Sequence, residues 1–315
     1  MHPPRRAISE AKNQRGFALL IVIGIAGLLS FAAIAFASSV RTHMRVVDNG
    51  LGNMRAGYAA ESGISLGTLS VIAAAEREER PDLSSRRCTI DGDTRIMVAL
   101  SDEAGRVDFN LAEPALLSAL LRSTGVDRAS AERIAEAVAQ QRRSDEVAPV
   151  SSEQRSTRRG PFLTLDDVRA VDGLDQAVFD AIRPYATVRS GQQGIDLRVA
   201  PQGLGPRLAA TINGSDELPP AFRGVSTGEA YLVRSVARTA SGAVAVREAV
   251  ISARVDRPPL TNAQLNDPGF GLRGRSRTTP GQRQRYVAKV WEWRTAAIAD
   301  SDLAALAVPA TWPEC

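Results

Sequence analysis

Histidine, cysteine and lysine are scarce in this sequence: two of the first (His2, His43), two of the second (Cys88, Cys315) and two of the third (Lys12, Lys289) in 315 residues. The histidines and cysteines do not supply a closed zinc site of the usual kind. His43 stands just past an apolar run, and no second histidine in the part retained after it can serve a Ser or Cys nucleophile. No pair of carboxylates stands out as a general acid and base. The chain therefore reads as a non-enzyme, with no catalytic residue to name. Charge excess is also small: the formal net charge is +4, and residues 1 to 16 hold Arg5, Arg6, Lys12 and Arg15 against Glu10. Without that stretch the chain is nearly neutral, so basicity gives no reason to expect nucleic acid as a partner. If the apolar run directs the chain out of the cytoplasm, an oxidising compartment permits one disulfide, Cys88 to Cys315. Sequence supplies no distance between them, and paired and unpaired thiols both stay open.

What the sequence does have is one long apolar run. From Phe17 to Ala37 there is no charge, and Ser30 is the only hydroxyl. As a helix at about 1.5 Å per residue it extends about 31 Å, the thickness of a bilayer core. A secretory signal core is shorter and is followed by its cleavage site. The cations before the run favour an amino end in the cytoplasm, although Arg41 and Arg45 on the far side reduce the contrast. A single-pass anchor with its carboxyl end outside is expected.

Beyond the run, apolar residues keep a loosely helical spacing to about residue 80, where Pro81 ends the pattern. Gly50 and Gly52 each weaken a helix interior by about 1 kcal/mol, which predicts a bend or frayed turn there. Residues 94 to 109 read as a β segment, with Ile96 and Val98 alternating and a turn at "EAG". A helical hairpin follows: Pro114 starts it, Leu116, Leu117, Leu120 and Leu121 share a face, Gly125 turns the chain, and the second helix carries Ile134, Ala135 and Val138. A second hairpin has a capping box at Thr164 and Asp167, Val168 and Val171 facing inward, and a turn at Gly173. Asp175 caps the helix that buries Val178, Phe179 and Ile182, and Pro184 stops it. From Tyr231 the pattern alternates on both sides of a turn at Ser241-Gly242. Residues 256 to 285 read as a mobile loop, and "YVAKVWEWR" as a last strand with Trp291 and Trp293 on one face. The tail to Cys315 is left unassigned.

The two hairpins resemble helix-hairpin-helix modules, which grip DNA phosphates through Gly-apolar-Gly turns. Here the turns are "GVD" and "GLD", so Asp127 and Asp175 stand where the second glycine would be, and a carboxylate repels phosphate. A membrane-anchored DNA receptor is the alternative function, and a structural or protein-contacting use is preferred. "GFGLRG", Gly269 to Gly274, has no strand before it or helix after it and is no dinucleotide site.

"QRGFALLIVIGIAGLL" resembles a type IV prepilin leader. That resemblance implies cleavage by a membrane peptidase between Gly16 and Phe17, methylation of the new amino end at Phe17, and retention of the apolar helix. Most of that family carry Glu at the fifth mature position, where this chain has Ile21. Such a Glu is thought to pair with the terminal ammonium of the subunit above inside an apolar bundle, so its absence points to the end of a filament. The succession of "DEAGRVDFNLAEPALLSALL", "GPFLTLDDVRAVDGLDQAVFDAIRPYATV" and "SVARTASGAVAVREAVI" over residues 15 to about 294 resembles the protein K family, the large minor pseudopilins of type II secretion systems.

That resemblance implies an α+β fold: a long N-terminal membrane helix, then a pilin-like antiparallel β-sheet domain interrupted by an all-α insert. The expected division is a prepilin leader at 1–16, a transmembrane and extended helix at 17–80, the first part of the pilin-like domain at 86–108, the insert at 109–188, the second part at 189–294 and a tail at 295–315. It implies a minor pseudopilin at the pseudopilus tip that initiates assembly for export of folded proteins, with an inner-membrane anchor and a periplasmic domain. The implied partners are the other minor pseudopilins, the major pseudopilin and the prepilin peptidase, with no nucleic acid and no small-molecule substrate. Relatives bind calcium in an acidic loop of the insert. The matching interval here holds Asp145, Glu146 and Glu153 against five arginines, a poor set for a hard cation. No ligand is named, and no other cofactor is expected.

Overall fold

The computed structural model describes residues 14–143, 160–255, 286–307 and 311–315. The expected mobile loop at 256–285, the "GFGLRG" string and the acidic interval around Asp145, Glu146 and Glu153 lie outside them.

The first helix, α1 (Gln14–Glu76), is 63 residues long, about 95 Å at 1.5 Å per residue. It runs unbroken through Gly50 and Gly52, where a bend or frayed turn was expected. Gly52 is buried against the tip of a β-hairpin, where an added Cβ would stand 2.8 Å from Ser241 Oγ. Packing there compensates the weak propensity of glycine. The helix ends in a Schellman motif: Glu78 has φ 57°, its N–H donates to Ala75 O, and the N–H of Glu79 donates to Ala74 O.

Strands β1 (Arg86–Ile90), β2 (Thr94–Asp102), β5 (Tyr231–Arg238), β6 (Val244–Val255) and β7 (Tyr286–Thr295) form one antiparallel sheet in the order β1-β2-β5-β6-β7. Their period-2 alternation sends Ile96, Val98, Val233, Ala249 and Ile251 to one face, under Ala60, Ile64 and Val71 of α1. This contact depends on absent side chains. A Cβ on Gly63 would fall 2.0 Å from Ser235 Oγ and 3.0 Å from Ile96 Cγ2, and one on Gly67 would fall 2.4 Å from Val233 Cγ1. We expect Gly67→Val to lower the unfolding free energy by about 3 kcal/mol through overpacking. Gly50→Ala, where nothing lies within 4 Å, should instead raise it by up to about 1 kcal/mol through helix propensity. Denaturant unfolding of the detergent-solubilised chain measures both, and equal signs would refute the packing argument.

Between β2 and β5 the chain leaves the sheet and builds a helical unit. It contains β3 (Val107–Asp108), α2 (Pro114–Ser123), α3 (Arg128–Arg142), α4 (Gln176–Ile182), β4 (Ala186–Thr187) and α5 (Leu204–Asn213). Strands β3 and β4 pair in parallel at its neck. Leu116, Leu117, Leu120 and Leu121 are fully buried, with Ile134, Ala135 and Val138 from α3 packed in the same core. The first half of the second hairpin is a 3₁₀ segment (Leu165–Ala170), shorter and tighter than the helix expected. Its start is held by Asp167, whose carboxylate accepts from the N–H of Leu163 at 2.9 Å and of Thr164 at 2.8 Å. The unit also reaches beyond the expected boundary at 188, because Leu204, Leu208, Ala209 and Leu218 complete its core.

Two further features depart from expectation. A bulge in the β6–β7 pairing falls between Val250 and Ile251, so that Trp293 pairs with Ala249 while Trp291 packs with Ala230, Leu232 and Val250 on the opposite face. The two tryptophans therefore do not share a face, since one extra residue in a strand breaks its alternation. The tail, left unassigned from sequence, forms α6 (Asp300–Ala307) and a closing segment. Leu306 is buried with Met97, Val236 and Val246 on the face away from α1. The last residues pair alongside β1: Thr89 N–H donates to Pro313 O at 2.8 Å, and Cys315 N–H to Thr89 O at 3.0 Å. Cys88 and Cys315 are joined as a disulfide, their Cα atoms 5.0 Å apart.

Candidate functional site

The amino-terminal half of α1 has no side-chain support from the rest of the fold. Every side chain from Leu19 to Leu51 is exposed, including Leu20, Val22, Phe31 and Phe36. Such a surface cannot remain in water, and its length suits a bilayer or a bundle of similar helices. Gly16 and Phe17 fall in the first turn of this helix, and Ile21 is one of its exposed apolar residues, 47% accessible.

Past the bilayer length, α1 keeps an apolar stripe on the side turned away from the sheet. Val40, Met44, Val47, Leu51, Met54 and Tyr58 are all exposed. Their spacing alternates four and three residues, the repeat that keeps one seam of a helix against another helix. From Gly52 onward the opposite side of the helix, at Ala56, Ala59 and Ala60, is buried on the sheet, while from Val40 to Leu51 the whole circumference is exposed. One face of α1 is thus used within the fold and the other is free, an arrangement that sequence spacing did not separate.

The hairpin turns use their carboxylates locally. Asp127 accepts from Ser130 N–H at 3.0 Å and Asp175 from Val178 N–H at 2.8 Å, so each caps the helix that follows. The bonds to Ser130 hold the Asp127 carboxyl below the usual range. The helix starts that would face phosphate already hold an anion. We expect no retention of random-sequence DNA by the detergent-solubilised chain at low salt, where phosphate contacts are strongest; salt-dependent binding would revive the DNA reading.

The face of the sheet opposite α1 carries ion pairs that join its strands to one another and to α6. Glu248 accepts from Arg234 and from Arg294 Nε at 2.7 Å, and Arg234 also reaches Asp302 of α6 at 2.6 Å. Burial works against the Glu248 charge, but Arg294 and Arg234 together outweigh it and its carboxyl lies below the ordinary value. Nearby, Glu103 accepts from Arg106 and from Thr187 Oγ1, which ties the sheet to the neck of the helical unit. Burial pushes the carboxyls of Glu103 and Asp108 up. Among the described residues no group of three or more His, Cys, Asp or Glu side chains gathers as a metal site.

Asp196, 2% exposed, holds the return from the helical unit to the sheet. Its carboxylate accepts from Arg198 Nη2 at 2.6 Å and from the N–H of Ser226 at 2.8 Å. Arg198 first, then these backbone bonds, hold it well below the usual carboxylate range against the cost of burial. A lowered folded-state pKa contributes stability that is complete above the unfolded value, about 3.9 for Asp, and is lost as pH falls through the folded one. Glu103 and Asp108, being raised, act with the opposite sign. We expect Asp196→Asn to flatten the fall in thermal midpoint below pH 4; an unchanged acid slope would contradict this.

A long apolar helix with its second half across one face of an antiparallel sheet, and a helical unit between two strands, defines a pilin-like α+β protein. Residues 98–191 match the family model described as Type II secretion system (T2SS), protein K, the family whose resemblance the sequence carries. That interval runs from the middle of β2 through the neck and both hairpins. The chain is also similar to one in the crystal structure of the GspK-GspI-GspJ complex from the enterotoxigenic Escherichia coli Type 2 Secretion System, at 14% identity and a TM-score of 0.48, covering 82% of this chain and 100% of that one. No curated protein matches.

Proposed function

We propose that this protein is a minor pseudopilin of a type II secretion system, anchored once in the inner membrane with its α+β domain in the periplasm. The observation that carries the proposal is the free stripe of α1 from Val40 to Tyr58, continuous with an apolar stretch of bilayer length. A helix bound on one side to its own sheet and bare on the other has a surface suited to sibling helices. The family match over residues 98–191 supports the same reading.

In this reading a membrane peptidase cuts after Gly16, Phe17 becomes the methylated amino end, and α1 associates with the helices of two smaller minor pseudopilins. The complex occupies the pseudopilus tip and starts assembly of a fibre built from the major pseudopilin. Ile21 fits that position, since a terminal subunit has no ammonium above it to neutralise. The helical unit stands away from α1 and leaves the bundling face open.

Mass spectrometry of the amino end of the native protein tests this. A chain beginning with methylated Phe17 is the expected result. A chain beginning between residues 38 and 45, with the apolar helix lost, would overturn it.

A further inference from the structure

A cavity of about 370 Å³ lies between the helical unit and the face of the sheet turned away from α1. Its charged lining is unequal. Five guanidinium groups reach it, from Arg106, Arg183, Arg189, Arg234 and Arg294, against three carboxylates, from Glu103, Glu248 and Glu292. All three carboxylates are engaged: Glu103 with Arg106, Glu248 with Arg234 and Arg294, and Glu292 with Arg294 and the N–H of Leu165 at 3.3 Å. Their side chains are less than a tenth exposed. Arg183 is different. It stands half-buried at the end of α4, where its backbone N–H donates to Phe179 O, and it lines the cavity, its guanidinium making no hydrogen bond or ion pair among the described residues. Leu165, Pro184, Leu232 and Val250 supply apolar wall beside it.

We propose that this cavity binds a carboxylate carrying a short apolar body, with Arg183 as its principal ion-pairing partner. A guanidinium presents two parallel N–H donors that match the two oxygens of a carboxylate. In a recess partly walled off from water that pairing is worth more than at an open surface. The neighbouring pairs, Arg106, Arg234 and Arg294 against Glu103, Glu248 and Glu292, are closed and do not compete for the ligand. Phosphate or sulfate would meet the same charge but would leave the apolar wall uncovered, so an aliphatic acid or the carboxyl terminus of a polypeptide fits best.

The test uses the full chain in detergent, with sodium hexanoate, hexanol, and the acetylated tripeptide Ala-Ala-Leu in free-acid and amide forms as calorimetric probes. Hexanoate or the free-acid peptide should bind, and hexanol and the amide should not. Arg183→Gln should weaken the binding about tenfold, the loss of one charge-assisted pair, while the thermal midpoint without ligand stays unchanged. Arg183→Lys should restore part of the affinity. Binding of hexanoate assigns the site to a free acid, and binding of the free-acid peptide alone assigns it to a chain end. No binding by either, or equal binding by wild type and Arg183→Gln, would overturn the proposal and leave the cavity a seam of internal ion pairs.

Discussion

Replacing Cys315 with serine lowers the thermal midpoint of the purified full chain by about 10 °C, and treating the wild type with dithiothreitol does the same. The bond joins residues 227 positions apart, and closing so long a loop in the unfolded chain corresponds to about 5 kcal/mol on the chain-entropy account. Its loss also releases what the bond fastens. The carboxyl-terminal residues complete the β1 edge through two backbone hydrogen bonds at Thr89. Ahead of them, Trp312 lies under the guanidinium of Arg95, 5.7 Å from its centroid. Freed at Cys315, this segment should become a site of early proteolysis in the variant. A wild-type midpoint unmoved by reductant would contradict both the linkage and its assigned role. Such a bond persists in an oxidising compartment, which is where the proposed topology puts it.

The same tail shows why parts of the fold were legible in the sequence and others were not. Elements that owe their form to local pattern could be read directly. Leu116, Leu117, Leu120 and Leu121 announce a buried helix face, Thr164 and Asp167 a helix start, and Ser241-Gly242 a hairpin between two alternating strands. Elements that depend on distant partners could not. Residues 300–307, DSDLAALA, contain good helix formers but make only two turns, too short a window for spacing alone to declare a helix. Leu306 becomes core only because Met97, Val236 and Val246 meet it there. The bulge that parts Trp291 from Trp293 is likewise a property of two strands and not of one.

The glycines of α1 show the same division. Read alone, Gly50 and Gly52 are weak points of a helix. In the fold, Gly52, Gly63 and Gly67 are where the helix comes close enough to the sheet for Ser241, Ser235 and Val233 to fill the space of a missing side chain. The candidate interface was legible only in its membrane half, where composition suffices. That Met54 and Tyr58 at the end of the stripe are free follows from knowing which side of α1 the sheet occupies.

Substitution of Gly16 by a bulky residue such as Trp should leave the precursor uncut and stop secretion in the same cells, the largest functional effect expected of a single change. The effect comes from where the apolar helix can go. With residues 1–16 attached, the amino end carries Arg5, Arg6, Lys12 and Arg15, and moving that charge out of the cytoplasmic face into an apolar bundle is costly. Once it is removed, α1 can exchange lipid for the sides of neighbouring helices at little change in environment. Immunoblotting for the longer precursor, together with an assay of exported enzyme in the culture medium, measures the two consequences side by side. Ile21→Glu serves as the companion variant. It leaves Gly16 intact, so the proposed cutting should continue, but it buries a carboxylate for which the proposed tip position offers no neighbouring ammonium, and secretion should fall while the amino end is the same as in the wild type. Secretion that survives with an uncut Gly16→Trp precursor would sink the assembly route, whatever the fate of the Ile21 variant.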